Sequence, residues 1–331
     1  MMFKKSLTLS CIVLSLSLQG CASFSPNSEA DIKKSEIDAL DKEKAFDKAI
    51  RPTTVDESLM RGDTAVKNKD YQRAIIEYSF GLDLDKDSQP LYDRLGRVYY
   101  LNGDFERCLN SFNIILKNEP NSIVAHQYLG LCSFKQGNVD QAENHLEKSI
   151  ELDKARISVA PSVKNEDGSI LMLDVDSNSP WKAYNTMGII HDQKKQHLKA
   201  IYYFKQAGRI RPNDVNILNN LGYSNYLSGD WSTAKSYFNQ AIKQKPNFAT
   251  AWYNLGLIQT REQNWRQAEL SFSKIMPKQD AYNDMGVILM QNNDLTRART
   301  YFQNALETSP QYHEKAANNL ELLNSMTKEQ E

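Results

Sequence analysis

Asp174, Asp176 and Asn178 stand at alternate positions in LMLDVDSNSP, the spacing with which an oxygen-rich loop begins to enclose calcium. Such a loop also needs a glycine at its sharp turn and a closing glutamate, and Ser179 and Asn185 occupy those places, so no calcium is expected. The five histidines are scattered, and His191 and His197, six residues apart, fall on different faces of a helix; they are read as surface or packing residues. A phosphate-cradling glycine loop, a zinc-protease helix and paired cysteines at metal-site spacing are all absent from the sequence. No catalytic residue, metal or cofactor is therefore assigned, and the chain is read as non-enzymatic. Of its four cysteines, Cys108 and Cys132 sit within helical patterns. An oxidising compartment would permit a bridge between them, but Cys108 stands where a small buried residue is needed and a lone cysteine serves as one, so two free thiols are expected. A net charge of −1 with no basic stripe argues against nucleic acid as a partner, and no small-molecule substrate is indicated.

The other two cysteines belong to the N-terminal segment. With 40% hydrophobic residues and a mean hydropathy of −0.59 the chain is surface-rich, and its opening is the exception. Met1 to Lys5 carry two lysines and Ser6 to Leu18 are largely apolar, the pattern of a secretory signal and shorter than the roughly 20 apolar residues of a spanning helix. Leu18, Gln19, Gly20 and Cys21 resemble a bacterial lipobox. That resemblance implies removal of residues 1–20, Cys11 with them, and acylation of Cys21 as the first residue of the mature protein. Each buried methylene adds about 0.8 kcal/mol, so several acyl chains hold a protein to a membrane lastingly. Ala22, where an aspartate would mark inner-membrane retention, implies the periplasmic side of the outer membrane. Residues 21–54 have many charges and few large apolar groups and are read as the lipidated N-terminus and a flexible tether, with an amphipathic stretch between Glu29 and Ala49.

Beyond the tether the sequence repeats. Glycines at 62, 96, 130, 188, 222, 256 and 286 each lie inside a helical apolar pattern, with steps of 34, 34, 58, 34, 34 and 30. Around them recur Leu95, Cys108, Phe112 and Pro120; Leu221, Ala234, Phe238, Ala241 and Pro246; Leu255, Ala268 and Phe272. This pattern resembles the tetratricopeptide repeat, which implies an all-α right-handed solenoid. Glycine at the eighth position and a small residue at the twentieth let two antiparallel helices touch, the aromatic at the twenty-fourth fills the next gap, and proline stops the second helix. One helix pair cannot bury its apolar faces, so pairs must stack. Repeats 1–3 are placed at 55–154, repeats 4–7 at 181–312, and a capping helix with a tail at 313–331.

Two steps break the period. Between Gly130 and Gly188 the excess falls at 155–180, where ISVAPSV and SILMLDV flank the turn-like KNEDG and predict a β-hairpin insertion. At Gly286 the step of 30 predicts a shortened connection around MPKQD. In a solenoid of this kind the first helices line the groove, at positions two, five, six, nine, twelve and thirteen. The groove reading therefore includes Asp93, Arg97, Tyr100, Gln127 and Phe134, and centres on Asn185, Asn219, Asn220, Tyr223, Tyr226, Tyr253, Asn254, Arg261 and Asn283. Asparagine amides can pair with a peptide backbone and tyrosines offer flat amphipathic area, so a protein partner is expected there.

The final repeat and cap, AYNDMGVILMQNNDLTRARTYFQNALETSPQYHEKAANNLELL, together with the lipobox, resemble the TadD tetratricopeptide lipoproteins of tight-adherence (Flp) pilus systems. That resemblance implies a lipid-anchored scaffold that helps a secretin or pilus-assembly subunit to assemble. Type IV pilus secretin-assembly lipoproteins (pilotins) and periplasmic adaptors for cell-wall hydrolases are similar alternatives.

Overall fold

The computed structural model describes residues 51–158, 163–164, 170–171 and 175–328. The signal segment, Cys21, the tether to residue 50, most of the insertion and the last three residues lie outside the described residues. Residues 52–331 form one unit. Its helices come in pairs: α1 (Val55–Lys67) with α2 (Tyr71–Leu84), α3 (Gln89–Asn102) with α4 (Phe105–Asn118), α5 (Ile123–Lys135) with α6 (Val139–Ser158), and α7 (Trp181–Gln193) with α8 (His197–Ile210). They continue with α9 (Val215–Leu227) and α10 (Trp231–Gln244), α11 (Ala249–Arg261) and α12 (Trp265–Phe272), α13 (Lys278–Gln291) and α14 (Leu295–Thr308), and close with α15 (Glu314–Lys328).

One packing unit, repeated, explains the pairing. The glycine of each first helix faces the ring sixteen residues later on the second helix. A Cβ on Gly96 would lie 2.4 Å from Phe112, and one on Gly222 would lie 2.5 Å from Phe238, so any side chain there would push the helices apart. In the third repeat Leu146 replaces the ring against Gly130. Ala74, Cys108, Ala142, Ala200, Ala234, Ala268 and Ala298 follow their glycines by twelve residues, and all are fully buried. The turn joining the two helices requires a left-handed residue seven places after each glycine. Gly103, Gly137 and Gly229 supply it at φ 80°, 85° and 90°, while Lys69, Lys195, Gln263 and Asn293 adopt it at 59° to 62°. Directly after that residue, Asp70, Asp104, Asp230 and Asp294 cap the second helix by accepting from the backbone N–H three residues on.

Stacking has two layers. Each first helix approaches the first helix of the next pair, whereas no two second helices approach one another among the described residues. The first helices are thus the inner, crowded layer of the array, and the second helices splay on the outside.

Three expectations are corrected. Cys108 and Cys132 form a disulfide, with Cα atoms 6.6 Å apart, rather than two free thiols. Cys108 does hold the small-residue place on α4, but α5 packs on that helix and brings Cys132 into the same fully buried space. Among the described residues of the predicted hairpin an antiparallel ladder pairs Val163 with Leu171 and Lys164 with Ile170, whereas Ile157 and Ser158, expected to open its first strand, complete α6. The step of 30 is taken from a helix and not, as expected, from the connection around MPKQD: α12 has 8 residues where α10 and α14 have 14, and residues 273–277 then join it to α13, no fewer than the 245–248 that join α10 to α11. The insertion leaves and returns under a fixed clasp. Arg156 donates to the buried Asp153 at 2.6 Å and, through both terminal nitrogens, to Asp176 at 2.9 and 2.8 Å. Arg156 holds the Asp176 carboxyl well down, at about 2, so Asp176 is committed to this contact and not to a calcium loop.

Candidate protein-binding face

The inner layer carries every groove residue expected from the sequence. Asn185 is on α7; Asn219, Asn220, Tyr223 and Tyr226 on α9; Tyr253, Asn254 and Arg261 on α11; Asn283 on α13. The asparagines meet one another across neighbouring repeats. Asn220 Nδ2 donates to Asn185 Oδ1 at 3.0 Å, Asn254 Nδ2 to Asn219 Oδ1 at 3.0 Å, and Asn319 Nδ2 of the cap to Asn283 Oδ1 at 2.9 Å. Asn219, Asn254 and Asn283 are buried between helices, where a paired amide ties two repeats together without an unsatisfied polar group. Their first task is therefore stacking, and the open surface belongs to their neighbours.

Tyr223 is 40% exposed, and its ring lies 6.0 Å from that of Tyr226. The Arg261 guanidinium sits 5.3 Å from the Tyr226 ring centroid, so a cation and two phenols form one amphipathic surface across α9 and α11. Burial pushes the Tyr226 phenol up, which keeps it a neutral donor. Tyr253 packs edge-on against Phe272 at 5.5 Å, which turns it partly inward. Burial raises the Tyr253 phenol and, beside it, the Asp284 carboxyl.

A reading centred on amides and phenols misses an apolar row. Directly after the packing glycine, position nine holds Ile189, Tyr223, Leu257 and Val287 in four successive repeats, and all four remain partly or fully exposed on the inner layer. The same spacing that locates the glycines would have located them. Of the two histidines considered for chemistry, His191 stacks on Tyr203 at 5.1 Å and His197 pairs with Asp192 at 2.9 Å. Among the described residues no group of three or more potential ligands could hold a metal ion, and no helix is long and apolar enough to cross a membrane.

Comparison with known proteins agrees with the pairing of helices. Tetratricopeptide-repeat models match residues 219–283 and 279–312, and a model of the anaphase-promoting complex (cyclosome) subunit 3 matches residues 67–149. Heat shock protein STI1 of Saccharomyces cerevisiae is 29% identical over 101 residues, which are 30% of this chain and 17% of that protein. Among solved structures, the human IFIT1 dimer with m7Gppp-AAAA superposes with a TM-score of 0.51 at 17% identity, covering 84% of this chain and 64% of that one. The C-terminal part of a repeat-containing protein from Cytophaga hutchinsonii gives 0.49 at 18% identity, over 78% of this chain and 98% of that one. At these identities the structural likeness is one of fold.

Proposed function

We propose that this chain, which carries tetratricopeptide repeats, is a non-enzymatic scaffold whose inner layer in repeats 4–7 holds a segment of a surface-assembly machine. The observation that carries this reading is the cluster of the exposed Tyr223 with the half-buried Tyr226 and Arg261, on the same layer as the apolar residues Ile189, Leu257 and Val287. Aromatic side chains lose little entropy on docking and offer apolar area with a polar tip, and arginine adds a planar set of donors, which is what the centre of a protein interface needs. The machine is a tight-adherence (Flp) pilus, and the partner a secretin or pilus-assembly subunit; the lipobox-like LQGC and the final repeat with its cap support this choice. Acylated Cys21 holds the scaffold at the periplasmic side of the outer membrane.

A photo-crosslinking residue in place of Tyr223, in cells that build such a machine, tests the reading. A secretin or pilus-assembly subunit is expected in the adduct, and the adduct disappears when Tyr226→Ala and Arg261→Ala are added. An identical adduct from Lys235 on the outer helix α10, insensitive to those changes, would sink the proposal.

A further inference from the structure

The outer layer carries a face that the packing of the array does not explain, on α8 of repeat 4. The second residue of this helix is Leu198, which is 78% exposed. Its counterparts in the other second helices, Gln72, Glu106, Asp140, Ser232, Arg266 and Thr296, are all polar, so the fold asks for no apolar side chain there. Tyr202, Lys205 and Arg209 follow Leu198 at i+4, i+7 and i+11, the spacing of one helix face, and all three are exposed. Two clefts flank Leu198: Tyr202 and Tyr203 line one, Lys195 lines the other, and Lys199 lines both.

The whole-chain charge of −1 conceals the charge of this face. Residues 193–213 carry six lysines and arginines and no aspartate or glutamate, a basic stretch that the chain-wide balance hides. Lys194 is neutralised by Glu143 of α6 at 2.6 Å, and the Arg211 guanidinium lies 5.8 Å from the Trp181 ring centroid. Among the described residues no carboxylate pairs with Lys195, Lys199 or Lys205, although Glu147 lines a cleft with Lys199. The next outer helix, α10, has no acidic residue, and its Lys243 is exposed. The centre of a protein interface is depleted of lysine, because the ammonium must be desolvated there. At a lipid headgroup boundary lysines stay hydrated beside phosphates, while a leucine and a phenol enter the interfacial zone.

We infer that the outer face of α8 docks on an anionic lipid bilayer. Leu198 and Tyr202 enter the headgroup boundary, and Lys195, Lys199, Lys205 and Arg209 meet lipid phosphates. Contact through the outer layer turns the inner layer away from the bilayer and leaves it open. The inference goes beyond the groove reading and stands without it. A gain of about fivefold per cation makes this a weak contact that salt disrupts. It orients an array that is held near a membrane by other means, and does not hold one alone at physiological salt.

Co-sedimentation with vesicles tests it, using residues 21–331 with Cys21→Ala, which retain the whole of the compact unit 52–331. At low ionic strength the chain is expected to pellet with vesicles of equal parts phosphatidylglycerol and phosphatidylcholine, and not with phosphatidylcholine alone. Raising the salt to about 0.15 M releases it. The triple variant Lys195→Gln, Lys199→Gln, Lys205→Gln loses roughly a hundredfold in vesicle affinity, and Leu198→Gln alone weakens binding several-fold. Binding survives when the same three lysines become arginine, and circular dichroism checks that each variant is folded. It also survives in Lys67→Gln, Lys86→Gln, Lys117→Gln, which removes equal charge from exposed sites on other helices. Equal binding to both vesicles, no binding to either, or an equal loss in that control triple overturns the inference. Indifference to vesicles combined with capture on immobilised polyglutamate through the α8 lysines overturns it too, and makes the face one for an acidic protein.

Discussion

Lys69 and Gln263 are exposed residues held at φ 60° and 61°, in the turn where other repeats have glycine. A side chain there opposes the following carbonyl, so Lys69→Gly and Gln263→Gly are each expected to stabilise the fold by about 0.5–1 kcal/mol in urea unfolding, strain relief outweighing unfolded-state entropy. A second residue-scale prediction concerns His126 and His145, whose Nδ1 atoms lie 3.0 Å apart between α5 and α6. Burial holds both imidazoles below their ordinary 6.5, helped at His126 by nearby Lys148 and at His145 by His126. The folded state therefore prefers them neutral. Stability is full above the unfolded pKa and is lost as pH falls through the depressed folded values. Between about pH 7.5 and about pH 5 the melting temperature should fall more in the natural chain than in His145→Gln. Residues of this kind separate what sequence makes legible from what it does not. The recurring glycine and aromatic announced their contact because both obey one period. His126 and His145 are nineteen apart in a single repeat and recur nowhere, so no pattern could pair them. The asparagines were legible as inner-layer residues, but their partners lie one repeat away, and only the stacking register decides whether an amide meets another amide or a ligand.

At the scale of elements, the disulfide joins α4 to α5, which belong to different repeats. It closes a loop with a sequence separation of 24, so its loss should cost about 3 kcal/mol through chain entropy. Cys108→Ala with Cys132→Ala, or simple reduction, is expected to lower the unfolding free energy measured in urea by that amount. Mass analysis after alkylation without reductant should find neither thiol modified. Cys108 was readable as a helix-contact residue because alanine holds that place in the other repeats. Its partner was not, because Cys132 stands two places beyond Gly130, at a position that carries no covalent role elsewhere in the array. Helix lengths divide in the same way. Most second helices follow from the interval between glycine and proline, yet α12 stops after 8 residues. A missing turn changes spacing identically whether it is taken from a helix or from a loop, and the sequence registers the spacing alone.

For the whole molecule, the reading places a binding array on a lipid anchor, and the two parts can be separated by experiment. Cys21→Ala is expected to abolish incorporation of labelled palmitate and to release the chain from the membrane fraction, while the array's helical circular dichroism and its thermal transition remain. Retained label in that variant would refute the anchor. The charge along the inner layer was legible in the sequence, since Asp93 and Arg97 occupy groove positions five and nine of the second repeat and Lys182 occupies position two of the fourth, counted from Gly188; what each faces across repeats was set by stacking. The two layers of helices also have a mechanical meaning. Inner helices abut while outer helices stand apart, so bending the array about its inner seam compresses no contact between outer helices. A small rotation at each joint adds to the next, and the array behaves as a compliant clasp that tightens on a guest by many shallow pivots instead of one hinge. Small-angle scattering should accordingly record a smaller radius of gyration for the array saturated with a segment than for the free chain.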